Sequence, residues 1–348
     1  MPCDTPPVET TDRIVGIDAI REAQARIAGR VGRTPLLAST TAARFVAGAI
    51  GPRMADDRLY LKAEHLQTTG SFKARGLTNR ILTLTDEQRR AGVITLSAGN
   101  AAQAYAWAGR AVGTHVTVVM PAGAVRSKVD ACLDYGAEVV LHGVDVGETF
   151  SEMRRIEAER GLVFVHPFDD PEVIAGHGSI GLEIVADLPE VDVVVVGVGG
   201  GGLISGVAAA IKESRPAVRV YGVEPEGSNA MQLAIEAGEV VRIQPRSVAD
   251  GLGAPFAGEW TLAMCQRYLD GIVLLDDPTI LAGMRFALER TKQVLEPAGA
   301  AALAAVLFGR IRIRSGERVC VVASGGNVEV SRIGELLAMA APLPAASA

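Results

Sequence analysis

The chain has 348 residues, 49% apolar and 21% charged, enough to bury two separate cores and too apolar for a disordered protein. Its net charge is -6 with no long basic run, which excludes nucleic acid or an anionic membrane as the principal partner. No apolar run is long enough to span a bilayer, and Met1-Pro2-Cys3-Asp4-Thr5-Pro6-Pro7 has neither the basic start nor the apolar core of a signal peptide. Cys3, Cys132, Cys265 and Cys320 are widely scattered and never form Cys-x-x-Cys, so they read as reduced thiols of a cytoplasmic protein.

Residues 1–13 are polar and read as a loose lead-in. Ile17, Ile20, Ala23 and Ile27 recur at helical spacing within 16–30, and Thr34-Pro35-Leu36-Leu37 breaks that helix into an extended segment. A strand over 58–64 leads into Thr68-Thr69-Gly70-Ser71-Phe72-Lys73-Ala74-Arg75-Gly76. There Gly70 frees the turn, Ser71 is placed as an N-cap, and a helix follows over 74–82. Strands at 92–97, 115–120, 138–142 and 162–166 then alternate with helices at 101–112, 125–135 and 147–160. Such alternation predicts a parallel sheet with crossover helices.

The second half repeats that grammar. A helix at 177–188 precedes strand 191–197, whose unbroken valines predict burial on both faces. Helix 203–214, strand 218–224, helices near 228–237 and 258–269, and strand 271–275 come next. Helices 278–295 and 298–309 and strand 318–323 complete the pattern. The expected organisation is α/β, with two open, mostly parallel sheets. One domain takes 1–63 plus 169–338, a smaller one takes 64–168, and an alanine- and proline-rich tail over 339–348 is disordered. That division leaves no room for a fused regulatory module.

Lys73 is the first candidate for chemistry. An amine fixed by backbone at a helix opening and partly dehydrated beside Phe72 has a lowered pKa and can form a Schiff base with an aldehyde cofactor. By itself it is an ordinary first-turn lysine; three glycine-rich loops far along the chain change that. Gly197-Val198-Gly199-Gly200-Gly201-Gly202 lies between a buried strand and a helix, so several N–H groups and a helix N-terminus face one small space suited to a phosphate. The same run satisfies G-x-G-x-x-G with Glu224 after the next strand, which keeps a dinucleotide-binding oxidoreductase open. Ser97-Ala98-Gly99-Asn100 opens another helix: its N–H groups suit a substrate carboxylate, and the Asn100 amide suits a phenolate oxygen. Ser324-Gly325-Gly326-Asn327 ends the last strand and offers a hydroxyl to a ring nitrogen, and Glu296-Pro297-Ala298-Gly299-Ala300 joins two helices. All lie where open α/β sheets place ligands. An imine-forming amine, a phosphate cradle, a carboxylate cradle and a ring-nitrogen partner together fit pyridoxal 5'-phosphate bound to an amino acid. His65, His115, His142, His166 and His177 show no metal-ligand spacing and read as packing residues, so no metal site is expected.

With those residues in view, the chain resembles the threonine/serine dehydratase branch of the fold type II pyridoxal phosphate enzymes. The resemblance runs from about Thr34 to Val330 and also includes His166-Pro167-Phe168-Asp169 and Ala249-Asp250-Gly251. It implies a cofactor in the cleft between the two domains, carried by Lys73 and touched by Phe72, Asn100, Leu203, Glu296 and Ser324. It implies that Gly199, Gly200, Gly201 and Gly202 hold the phosphate, and that Ser97, Ala98, Gly99, Asn100 and Ala101 meet the substrate. A homodimer or homotetramer is implied as well. Two departures stand out: Ala101 replaces a histidine common in the family, and no aspartate accompanies Glu224 where some relatives bind a divalent ion. The implied reaction is α,β-elimination from L-threonine or L-serine. A racemase, a dehydratase of bulkier or acidic β-hydroxy amino acids, and a non-catalytic amino-acid-binding module are the alternatives.

Overall fold

The computed structural model describes residues 13–345. Ten strands fall into two sheets: β1 Leu36–Ser39, β2 Leu59–Lys62, β3 Val93–Leu96, β4 Val116–Met120, β5 Glu138–Leu141, β6 Val163–Phe164, β7 Val193–Gly197, β8 Arg219–Pro225, β9 Gly271–Leu275 and β10 Val319–Val322. The larger sheet has the order β1-β2-β10-β7-β8-β9 and the smaller the order β5-β4-β3-β6. Every pairing is parallel except β1 with β2. This is the α/β arrangement with two parallel sheets that the alternating pattern predicts. The valines of β7 are fully buried, as expected for a strand covered by helices on both faces. Among the described residues no helix is long and apolar enough to cross a membrane.

Several element expectations change. The helix expected at 177–188 begins at Pro171, because Asp170 caps it by accepting from the Glu172 and Val173 N–H groups. The helix expected over 278–295 stops at Phe286, passes into a π turn over Ala287–Thr291, and ends at Lys292 with φ of 59°. Helices Thr40–Ala49, Asp86–Ala91 and Val330–Ala338 were not expected. Ser71 is not an N-cap. Its backbone forms an antiparallel bridge with Gly325, so the helix Lys73–Leu82 is entered at Phe72 and has no side-chain cap. Within the stretch expected to be a disordered tail, the Ala341 N–H donates to the Pro278 carbonyl, and Ala340 and Leu343 pack on the core. Residues 1–12 and 346–348 lie outside the described residues.

What fixes the Lys73 helix in place is a buried ion cluster. Arg75 is fully buried and donates to both oxygens of Glu64 at 2.8 and 2.9 Å and to both oxygens of Glu183 at 2.7 and 2.9 Å. Lys62, on β2, adds a second cation on Glu183 at 2.6 Å and donates to the Thr34 carbonyl at 2.6 Å. Two cations face two carboxylates, so no net charge is stranded, and each carboxylate oxygen has a charge-assisted partner. The cluster joins β2, helix Lys73–Leu82 and helix Pro171–Asp187. Glycines bring those two helices into backbone contact: a Cβ on Gly176 would lie 2.6 Å from the Gly76 Cα. Arg75→Met should therefore cost about 3–5 kcal/mol by stranding buried carboxylates. A urea midpoint within error of the parent would show that the cluster does not hold the fold.

Candidate functional site

Three loops at the carboxyl ends of parallel strands meet the Lys73 stretch. The Phe72 N–H donates to the Ser324 carbonyl at 3.0 Å, and the Gly326 N–H donates to the Gly70 carbonyl at 2.9 Å, which stitches the lysine turn to the loop after β10. Ser324 itself is buried. The Glu296 N–H donates to the Gly325 carbonyl at 3.1 Å, and Gly299 lies so close to Gly325 that a side chain there would collide with its backbone. Asn100, at the opening of helix Asn100–Val112 after β3, donates to Glu296 Oε1 at 2.7 Å and accepts from Asn327 Nδ2 at 2.8 Å. Asn327 also donates to the Thr69 carbonyl at 2.8 Å. Lys73, Asn100, Glu296 and Ser324 are therefore brought together from four separate segments.

The amine is held on one side by the segment 166–169. Lys73 Nζ donates to the Pro167 carbonyl at 2.7 Å and lies 5.1 Å from the Phe72 ring centroid. The protein around this half-buried side chain removes hydration, and that burial brings its pKa down to about 8. His166 and His177, packing residues by their place in the sequence, both sit in the field of Lys73. Burial, then the Lys73 charge, pushes His166 down to about 4; burial, Lys73 and Arg75 push His177 well below the usual histidine range. Both are neutral at neutral pH. His166 Nδ1 accepts from the Phe168 and Asp169 N–H groups and so shapes the turn, while Tyr105 donates to the His166 carbonyl at 2.8 Å. The position of Tyr105 in an alanine-rich helix gave no sequence signal of this role.

Phe168 carries the contact on to the tetraglycine. A Cβ on Gly200 would run into the Phe168 ring, and one on Gly202 would lie 2.8 Å from the Phe168 carbonyl. Gly201 has φ of 92°, and Thr261 donates to the Gly200 carbonyl at 2.8 Å. Gly199 rests against Gly251 and Leu252. The helix that follows, Gly202–Ser214, has no side-chain cap, so its first N–H groups are free to bind an anion. The same holds for helix Asn100–Val112, entered through Gly99 without a side-chain cap. An oxyanion cradle lined only by backbone, a second one, and a dehydrated amine fit a phosphate, a carboxylate and an aldehyde. The residues present suit pyridoxal phosphate.

The other expected residues are placed as follows. Ser97 Oγ accepts from the Gly99 N–H at 3.2 Å, so its hydroxyl is turned into its own loop. Ala98 and Ala101 pack on the core of the smaller sheet. The Leu203 side chain is buried in the core under the larger sheet, leaving only its backbone near the phosphate cradle. Glu224 is fully buried and accepts from the Met231 and Gln232 N–H groups, both at 2.9 Å, and burial brings its pKa up to about 7. Both oxygens face the opening of helix Ala230–Ala237, and full burial shuts the carboxylate away from a ribose hydroxyl. Glu296 is likewise pushed up to about 7, by burial and then by Asp250.

A family profile described as "Pyridoxal-phosphate dependent enzyme" matches residues 27–325. The chain belongs to this family. The dinucleotide alternative is thereby set aside, and the cofactor is pyridoxal phosphate. Among this family, the chain is 42% identical to the L-threonine ammonia-lyase of Thermotoga maritima over 93% of this chain and 78% of that protein. It is 41% identical to the catabolic L-threonine dehydratase of Escherichia coli strain K12 over 94% of this chain and 97% of that protein. Among solved structures it resembles a T.th. threonine deaminase, with a TM-score of 0.81, 39% identity, and 90% and 99% of the two chains covered. It also resembles maize serine racemase, with a TM-score of 0.86, 35% identity, and 92% and 96% covered.

Two outcomes test this geometry. Gly200→Ala should weaken cofactor binding at least about tenfold, because the Phe168 ring must move to admit the methyl; equilibrium dialysis with circular dichroism as a folding control reads it. Unchanged affinity would show that the loop does not need its bare backbone. Because Lys73 is neutral above about 8 and protonated below it, the rate of pyridoxal phosphate loading should climb as pH rises through that value. A rate still climbing towards the usual lysine range, ~10.4, would mean that the amine is not dehydrated.

Proposed function

We propose that the chain is a threonine ammonia-lyase that also takes L-serine, converting them to 2-oxobutanoate or pyruvate and ammonia by α,β-elimination. The observation that carries this reading is the pairing of one dehydrated amine, Lys73, with a helix opening in which Ala98 and Ala101 offer no acid. When bound, the cofactor supplies an electron-withdrawing ring that acidifies the α C–H of the amino acid. Gly199–Gly202 and the helix behind them would hold its phosphate, and the Asn100 amide would meet its ring oxygen. The buried Ser324 hydroxyl would be a neutral partner for its ring nitrogen, with no charge to favour protonation there. The N–H groups after β3 hold the substrate carboxylate. Lys73 Nζ, freed when the substrate amine takes its place, would take the α-proton. The Cβ–O bond would break, the hydroxyl would leave with one proton as water, and the released enamine would take up one water to give keto acid and ammonia. Phe72, edge-on to the neutral His177 ring at 4.8 Å, gives the amine a rigid apolar wall.

Serine racemisation is the second reading, because it needs the same amine and a fold such as that of the maize serine racemase. It also needs an acid on the opposite face of the α-carbon; in racemases that resemble this chain a serine hydroxyl in the asparagine loop fills that role, and its matching position here is Ala98. Ala98 has no proton to give, and the Ser97 side chain, one residue away, is turned into its own loop, where its oxygen accepts from the Gly99 N–H. Losing a positioned acid costs about 10²–10⁴-fold in the step it serves. Buried, unpaired Cys132, Cys265 and Cys320 favour a reducing, cytoplasmic setting. A homodimer or homotetramer is read from the resemblance alone, and sedimentation tests it. The smaller domain is taken as 64–168.

The deciding measurement follows keto acid, ammonia and serine chirality together. L-threonine and L-serine should yield keto acid and ammonia with no appreciable D-serine, and Ala98→Ser should begin to make it. Borohydride should fix the cofactor on Lys73, and Lys73→Ala should lose elimination while remaining folded. Rapid D-serine formation by the parent protein, or a label on Lys62 or Lys128, would sink the reading.

A further inference from the structure

Two contacts outside the Lys73 cluster tie helix Arg126–Asp134, which follows β4 of the smaller sheet, to the larger sheet's side of the molecule. Lys128 forms an ion pair with Asp250, and Ser127 Oγ donates to Glu329 Oε1 at 2.6 Å. The two acceptors belong to separate segments: Asp250 opens the short turn Asp250–Leu252, and Glu329 directly precedes helix Val330–Ala338. The Lys128 side chain is only 17% exposed, whereas Asp250 is 57% exposed. A lysine on a solvated helix turn ordinarily extends into water; here its charge is folded inward onto one partner. That partner borders the site. Gly251, the next residue, meets Gly199 of the phosphate loop, and a Cβ on it would lie 3.7 Å from Glu296 Oε1.

We propose that Lys128 is a positioning residue that closes the smaller sheet and its helices over the substrate by pinning Asp250. What the closed cleft holds rests on the function proposed above, but the pin does not. If the pair holds the cleft shut, its loss lowers the closed fraction, and apparent affinity falls by the same factor. Saturating substrate restores closure, so turnover is spared. The pair also has an electrostatic consequence, because the charges that act on Glu296 are Asp250, which raises its pKa, and Lys128, which lowers it; the Asn100 amide also lowers it. Removing Lys128 therefore moves the Glu296 ionisation upward from about 7, and removing the Asp250 charge moves it downward.

The test uses the full-length, cofactor-loaded protein with Lys128→Ala, Asp250→Asn, and the exchanged pair Lys128→Asp with Asp250→Lys. Lys128→Ala should raise KM for L-threonine about fivefold, the most a half-exposed pair supplies, and leave kcat within about twofold. Backbone amides over 122–130 should exchange with deuterium faster, and the exchanged pair should restore both KM and exchange towards the parent. In kcat/KM against pH, the ionisation near 7 should shift in opposite directions for Lys128→Ala and Asp250→Asn, which a purely structural defect would not produce. Parental KM and exchange in Lys128→Ala, or shifts in the same direction in both single variants, would overturn the proposal. If no β-hydroxy amino acid is turned over, the activity reading fails, and exchange over 122–130 still decides the pin.

Discussion

Arg75, two residues beyond Lys73, is the group on which the geometry of the candidate site depends. Its guanidinium is shut away from water and survives there because Glu64 and Glu183 each take two of its N–H bonds, with Lys62 balancing the remaining charge. The fixed fork of arginine cannot satisfy both carboxylates unless β2, helix Lys73–Leu82 and helix Pro171–Asp187 sit at one spacing and one rotation. Glycines 76 and 176 permit the approach, and the ion cluster selects it. Lys73, at the first turn of the same helix, inherits that orientation.

From there the order passes outward by backbone contacts. The lysine turn is sewn to the Ser324 loop, the Ser324 loop to Glu296, and Asn100 spans Glu296 and Asn327. On the other side Lys73 meets Pro167, and Phe168 meets the tetraglycine. The result is a cleft whose charged partners have been traded for neutral ones. His166 and His177 are uncharged, Glu296 is displaced towards neutrality, and the amine's pKa is brought down to about 8. Dehydration is the common cause. It makes each backbone N–H count for more towards an incoming phosphate or carboxylate than it would in water.

Much of this was legible along the chain. Unbroken valines marked strands covered on both faces, and strand–helix alternation specified two parallel sheets. Short glycine-rich turns at strand ends marked the candidate ligand site, because only glycine lets backbone N–H groups crowd one point. Errors fell where tertiary contact overrides local pattern. Ser71 has the residue type of a cap, but its backbone is drawn into a bridge with Gly325, more than two hundred positions away in sequence. The long helix expected after 278 is interrupted by the π turn at Ala287–Thr291, for which no local residue gives warning.

The sequence by itself determined which groups are on offer: an amine at Lys73, bare glycine loops at strand ends, and alanines at 98 and 101 that carry no acid. Those are properties of residue type and order, and no folding changes them. Only the tertiary structure decided how that chemistry is tuned. That Arg75 is a buried clasp, that His166 and His177 are neutral neighbours of the amine, and that Lys128 reaches Asp250 all depend on distances between segments remote in the chain. Burial and charge pairing act through space, and a linear sequence carries no record of which groups end up in contact.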